Sequence, residues 1–158
     1  MLRTTLIHPQ ILEALAAAGH GSLVLISDAN FPSLTAPLHH ARRVYLNLRP
    51  GMVTVTDVLD ALAAVIPIER VALMAPDGGG MPPVQADVTR LLGADTVIDL
   101  VARHQFYAAT RTDDLALVIV TGDDRWYANV LLTIGALPPA ESPEVADQAP
   151  RGPATDMP

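Results

Sequence analysis

The chain has 158 residues, half of them hydrophobic, with 17% charged side chains and a net charge of −7. At roughly 100 to 200 residues per domain, this length predicts one folded domain without room for a second full core. All ten basic residues are arginine and cysteine is absent, which excludes thiolate nucleophiles, disulfides, thiolate metal sites, Schiff-base lysines and a phosphate-loop lysine.

Pro9 suits a first helical position, and Ile11, Leu12, Leu15 and Ala16 continue a helical period to Gly19, which leaves His20 just past a helix end. Leu23 to Ser27 is an apolar run too short for a helix and reads as a strand buried on both faces, with Asp28 at its carboxyl end. After a turn-rich segment, Ala29 to Arg42, a second strand is expected near Val44 to Leu48, closed by Arg49-Pro50-Gly51. Thr54 and Asp57 have the spacing of a capping box ahead of Val58, Leu59, Leu62, Ala63 and Ile66. A third strand, Val71 to Met74, leads to the loop Pro76 to Gly80. A helix from Pro83 to Leu92 follows and stops at Gly93. A fourth strand is expected near Thr96 to Leu100, a short helix over Arg103 to Ala109, and the most apolar strand at Leu115 to Val120. The turn Thr121 to Asp124 then precedes a last helix, about Trp126 to Ile134.

Strands alternating with helices predict the α/β class: a single domain over 1–136 with a mostly parallel sheet and helices on both faces, a Rossmann-like three-layer arrangement. No nucleotide motif accompanies it, because Gly78-Gly79-Gly80 lacks both the Walker spacing and its lysine and reads as a flexible loop. From about Leu137 to Pro158 prolines alternate with small and acidic residues, which predicts a disordered tail. No signal-peptide pattern opens the chain and no apolar run approaches the ~20 residues of a membrane helix, so a cytoplasmic protein without a membrane partner is expected. Nucleic acid is not an expected partner either, since an acidic chain is repelled by phosphates unless its arginines segregate.

In parallel sheets the ligand crevice lies beyond the carboxyl ends of strands, which draws attention to Asp28, Met74, the residues after Leu100 and the segment after Thr121. Without Cys or Lys, proton transfer falls to His, Asp, Glu, Tyr or Ser. His20, between two glycines, has little local cover and can reach a cleft; its alternative reading is a helix-capping imidazole. Asp28 is either a site carboxylate or a turn-forming residue. His39-His40 beside Arg42-Arg43 reads as a solvated loop, since a metal needs three or four converging ligands. Tyr127 and Asn129 set a phenol and an amide two residues apart. Such mixed donors and acceptors suit sugar hydroxyls, and the rings of Trp126, Tyr127, Phe106 or Tyr107 could pack on a sugar's apolar face.

These residues resemble the ribose pyranase and fucose mutarotase family (RbsD/FucU). The resemblance is carried by Ala18-Gly19-His20-Gly21, Ser27-Asp28-Ala29-Asn30-Phe31-Pro32, Arg103-His104-Gln105-Phe106-Tyr107, Val120-Thr121-Gly122-Asp123 and Tyr127-Ala128-Asn129-Val130-Leu131-Leu132. It spans about Leu2 to Leu137. It implies a cofactor-free, metal-free isomerase that exchanges the forms of a free monosaccharide, with His20 as acid/base catalyst and Asp28 as proton-transfer or sugar-binding partner. Arg103, Tyr127 and Asn129 are implied as sugar-binding groups. The Asp-Ala-Asn-Phe-Pro stretch and Arg103 look more like the fucose branch, which makes anomer exchange of L-fucose or a similar sugar the expected activity. D-Ribose pyranase activity is the alternative, kept open by His104, and a non-catalytic sugar-binding subunit is a second. The resemblance also implies a closed homo-oligomer, commonly a decamer in the family.

Overall fold

A computed structural model describes residues 2–139. Four helices and six strands alternate as α1 (Pro9–Ala17), β1 (Leu23–Ser27), β2 (Arg42–Tyr45), α2 (Val55–Ala63), β3 (Ile68–Met74), α3 (Pro83–Leu92), β4 (Val97–Val101), α4 (Arg103–Ala109), β5 (Leu115–Val120) and β6 (Val130–Ile134). The sheet order is β2-β5-β1-β6-β3-β4. Five strands run parallel, and β6 lies antiparallel between β1 and β3.

Alternation along the central strands divides the core into two layers. Val24 and Ile26 of β1, Val71 and Leu73 of β3, and Val130, Leu132 and Ile134 of β6 pack with Ile11 of α1, Leu59 and Leu62 of α2, and Val84 and Val88 of α3. On the other face Leu25, Val118 and Leu131 pack with Phe106 of α4 and with Phe31, Ala36 and Ala41 of the segment after β1. The architecture is therefore a single-domain, three-layer α/β fold with a mostly parallel sheet, as expected. The capping box also forms: the Asp57 N–H donates to Thr54 Oγ1 at 3.2 Å, and the Thr54 N–H donates to Asp57 Oδ2 at 2.9 Å.

The last helix is a correction. Trp126 to Asn129 is irregular, and Val130–Ile134 is a strand filling the middle of the sheet. Five residues are too few for a stable helix but enough for a strand covered on both faces, and Val130, Thr133 and Ile134 are β-branched. The second strand also lies earlier than expected, at Arg42–Tyr45, because its partner β5 ends at Val120, opposite Tyr45. Beyond it the chain turns back through a bridge between Arg49 and Met52. A Cβ on Gly122 would run into the carbonyl oxygens of Met52 and Arg49, so glycine at this position lets that turn close over the end of β5. The tail expected from Leu137 lies, from position 140 onward, outside the described residues. No helix among the described residues is long and apolar enough to cross a membrane.

Candidate functional site

A cavity of about 320 Å³ opens at the carboxyl ends of the parallel strands, lined by Asp28 and Asn30 after β1, Met74 at the end of β3, Arg103 and Tyr107 of α4, and Tyr127 and Asn129 ahead of β6. Its volume falls at the small end of the range for ligand pockets, about 300 to 1,000 Å³. Phe31 and Trp126 complete the walls.

Asp28 is the buried anchor of this cavity. One carboxylate oxygen accepts the N–H groups of Asn30 (3.0 Å) and Phe31 (2.8 Å). The other accepts Asn129 Nδ2 at 2.7 Å, while the Asp28 N–H donates to Asn129 Oδ1 at 2.9 Å. A carboxylate has about four acceptor positions, so three protein donors leave room for one further hydroxyl. Burial raises the Asp28 pKa above the ordinary aspartate value, an effect opposed by those three hydrogen bonds and reinforced by nearby Asp123.

On the opposite wall Arg103 Nη2 pairs with Asp77 Oδ2 at 3.0 Å and donates to Tyr127 Oη at 3.4 Å. Its guanidinium also lies over the Tyr127 ring, 5.8 Å from the centroid. Asp77 first, and then Tyr127, hold the guanidinium firmly in its charged form. Phe31 and Tyr107 stack at 5.2 Å between centroids, giving the cavity an aromatic side. Trp126 stands at the rim, 78% exposed. Tyr127 is the single non-glycine residue with positive φ among the described residues, at 61°. That conformation costs a side chain with a Cβ about 1 to 2 kcal/mol.

The turn carrying these residues is fastened from below. Buried Asp123 accepts the N–H of Val55 at the start of α2 (2.9 Å) and the N–H of Arg125 (3.1 Å). It also accepts Arg125 Nε (2.9 Å) and Nη2 (2.6 Å), and its carbonyl accepts the Ala29 N–H (2.8 Å). Burial disfavours its charge, but the Arg125 guanidinium and the two backbone donors outweigh burial and hold its pKa below the ordinary range.

Four of the five site residues expected from the sequence, Asp28, Arg103, Tyr127 and Asn129, therefore meet in one cavity. His20 does not join them. It lies before β1, exposed, with Nε2 2.9 Å from Oε2 of Glu69 near the start of β3. The five residues of β1 alone put roughly 16 Å of strand between His20 and Asp28. Asp77, in the loop read as merely flexible, and Gln85, on the buried face of α3, carry no local signal; only the fold reveals their contacts. Among the described residues no cluster of three or more metal-capable side chains forms. Arg43 of the His39-His40 segment is occupied instead by backbone carbonyls, donating to those of Ser33, Pro37, Leu38, His39 and Ala41.

Residues 1–137 match the model of the RbsD / FucU transport protein family. A D-ribose pyranase of Paracidovorax citrulli is 36% identical over 139 residues, which cover 85% of this chain and 98% of that protein. A D-ribose pyranase of Symbiobacterium thermophilum is 33% identical over 135 residues, with 85% and 98% covered. Among solved structures, Bacillus subtilis RbsD complexed with D-ribose superposes with a TM-score of 0.76 at 25% identity, covering 87% of this chain and 99% of that one. The fold is also shared with the fucose mutarotase of Streptococcus pneumoniae in complex with L-fucose, at a TM-score of 0.73 and 22% identity, with 87% and 99% covered. With a family model spanning nearly all the described residues and relatives above 30% identity along almost their whole length, the chain belongs to the RbsD/FucU family.

Proposed function

We propose that this chain is a cytoplasmic sugar isomerase of the D-ribose pyranase type, which opens the ring of free ribose and lets it reclose as pyranose or furanose. The observation that carries this reading is the buried Asp28–Asn129 pair facing Arg103 and Tyr127 across a small cavity. Ribose is placed ahead of fucose, reversing the order expected from the sequence, because relatives similar along their whole length bear the name D-ribose pyranase. A second reading, anomer exchange of L-fucose or a similar sugar, rests on Arg103 and on the stretch Ser27 to Pro32, and uses the same groups.

Ring opening needs a base for the proton of the anomeric hydroxyl and an acid for the ring oxygen. As that proton leaves, the C1–O bond to the ring oxygen breaks, the ring oxygen takes a proton, and C1 becomes the carbonyl of the open chain. Reclosure by a different hydroxyl, with the two proton transfers reversed, gives the other ring size. No oxidant or reductant enters this balance. Asp28 has an acceptor position left for a sugar hydroxyl, and Arg103, Tyr127 and Asn129 orient the ring. His20 is assigned the acid/base role, which general acid–base catalysis makes worth about 10²- to 10⁴-fold in rate.

His20 and Asp28 sit at opposite ends of one sheet, so a single sugar can meet both only if His20 comes from a second copy of the chain. A closed homo-oligomer, such as the decamer the resemblance implies, supplies that arrangement. Glu69 accepts His20 Nε2–H and so leaves Nδ1 free for the transferred proton. Saturation-transfer NMR on ribose and fucose side by side tests the reading. Accelerated pyranose–furanose exchange of ribose is expected. Acceleration confined to fucose selects the second reading, and binding without acceleration reduces the protein to a sugar-binding subunit.

A further inference from the structure

Gln85 is a polar residue where packing asks for an apolar one. It lies in the first turn of α3, buried to 1% exposure, in a helix whose other buried positions are Val84 and Val88. A methionine would fill similar space without desolvating an amide, and burying an amide is unfavourable unless it is hydrogen-bonded. Gln85 Nε2 donates to the Met74 carbonyl at 2.8 Å and to the Tyr127 carbonyl at 3.3 Å. Both acceptors belong to residues that line the cavity, whereas Gln85 is not among its lining residues.

The two carbonyls fix the orientation of the amide, since the reverse placement would set oxygen against two oxygens. Oε1 is left buried without a partner among the described residues. An amide is thus kept here at the expense of one unmet acceptor, for the sake of its two donors. One of those donors grips the peptide of Tyr127, the residue held at positive φ. Tyr127 Oη meets Arg103 Nη2 and the Asp77 N–H, each at 3.4 Å, so the backbone conformation at this position decides where the phenol stands.

We propose that Gln85 is a positioning residue of the sugar pocket: from behind the cavity its amide ties the end of β3 to the Tyr127 peptide and holds Tyr127 in the left-handed conformation that brings its hydroxyl to Arg103. This rests on reading the cavity as a sugar site, and its test has one arm that does not.

The first arm is a crystal structure of Gln85→Met without sugar, and the second is ribose exchange kinetics of the same variant. Tyr127 is expected to relax to negative φ with Oη withdrawn from Arg103. KM for ribose is expected to rise about tenfold, the worth of one or two neutral hydrogen bonds, while kcat changes less than about twofold. Gln85→Leu, apolar and without a donor for either carbonyl, is predicted to behave alike and serves if Gln85→Met does not fold. A Tyr127 that keeps its positive φ overturns the proposal whatever KM does, and so does an unchanged KM once Tyr127 has moved. If the wild-type protein exchanges neither ribose nor fucose, the sugar reading fails and the φ of Tyr127 still decides whether Gln85 holds it.

Discussion

Asp28 and Asn129, 101 positions apart in the chain, hold one another through two hydrogen bonds running in opposite directions, backbone N–H to amide oxygen and amide N–H to carboxylate. The pair joins the end of β1 to the approach of β6, the antiparallel neighbour of β1. It fixes the distance between the two segments that form the floor of the cavity.

Asn129→Ala removes both bonds and leaves a buried carboxylate short of one donor. Hydrogen bonds to charged groups contribute about 1.5 to 3 kcal/mol, so urea unfolding is expected to show a loss of about 2 kcal/mol. Exchange of ribose is expected to fall to the uncatalysed rate. An unchanged unfolding midpoint would show that the pair is not a fastening of the cavity floor.

The two buried aspartates are predicted to give opposite pH trends. The pKa of Asp123 in the fold lies below its ordinary value of 3.8, so its stabilisation is complete above 3.8 and is lost as pH falls through the folded value. The pKa of Asp28 is raised, so its contribution is most favourable below 3.8 and is lost as pH rises through the folded value. Tm measured from pH 7 downward therefore has Asp123→Asn well below wild type at neutral pH and converging with it in acid. Asp28→Asn gains on wild type as pH rises. Parallel profiles for the two variants would contradict these assignments.

Arg43 organises the segment from Ser33 to Ala41 by donating to five of its carbonyls, and that segment begins just after Phe31 in the cavity wall. A lysine ammonium has three donors and no planar fork, so Arg43→Lys is expected to cost about 1 to 3 kcal/mol. Limited proteolysis is expected to cut the variant between positions 33 and 41 before any other site. Resistance equal to wild type would show that the carbonyl contacts do not hold the segment.

Much of the fold is written locally. The bounds of α3 follow from Pro83 at the helix start, Gly93 after its end and the spacing of its apolar residues. β1 and β5 are continuous apolar runs that admit a strand alone. β6 is not legible in this way, because Val130 to Ile134 is a strand buried on both faces and shows no alternation to separate it from a helix. The carboxyl ends of parallel strands point to Asp28 and to the segment holding Tyr127 and Asn129, while Arg103 and the grouping of all four are legible through the family resemblance. The remoteness of His20 from them was not, since loops at both ends of a strand look alike in sequence. Gln85 and Asp77 acquire their meaning from partners 42 and 26 positions away, and no local pattern marks such pairings.

On the proposed function, one copy supplies the Asp28 pocket and another supplies His20. Subunit complementation tests it most directly, by unfolding and refolding together equal amounts of the inactive variants His20→Ala and Asp28→Asn and measuring ribose exchange. Random assembly restores both wild-type groups to about one site in four, so the mixture is predicted to recover up to about a quarter of wild-type activity. A mixture as inactive as its two parents would show that the two residues do not meet across copies of the chain.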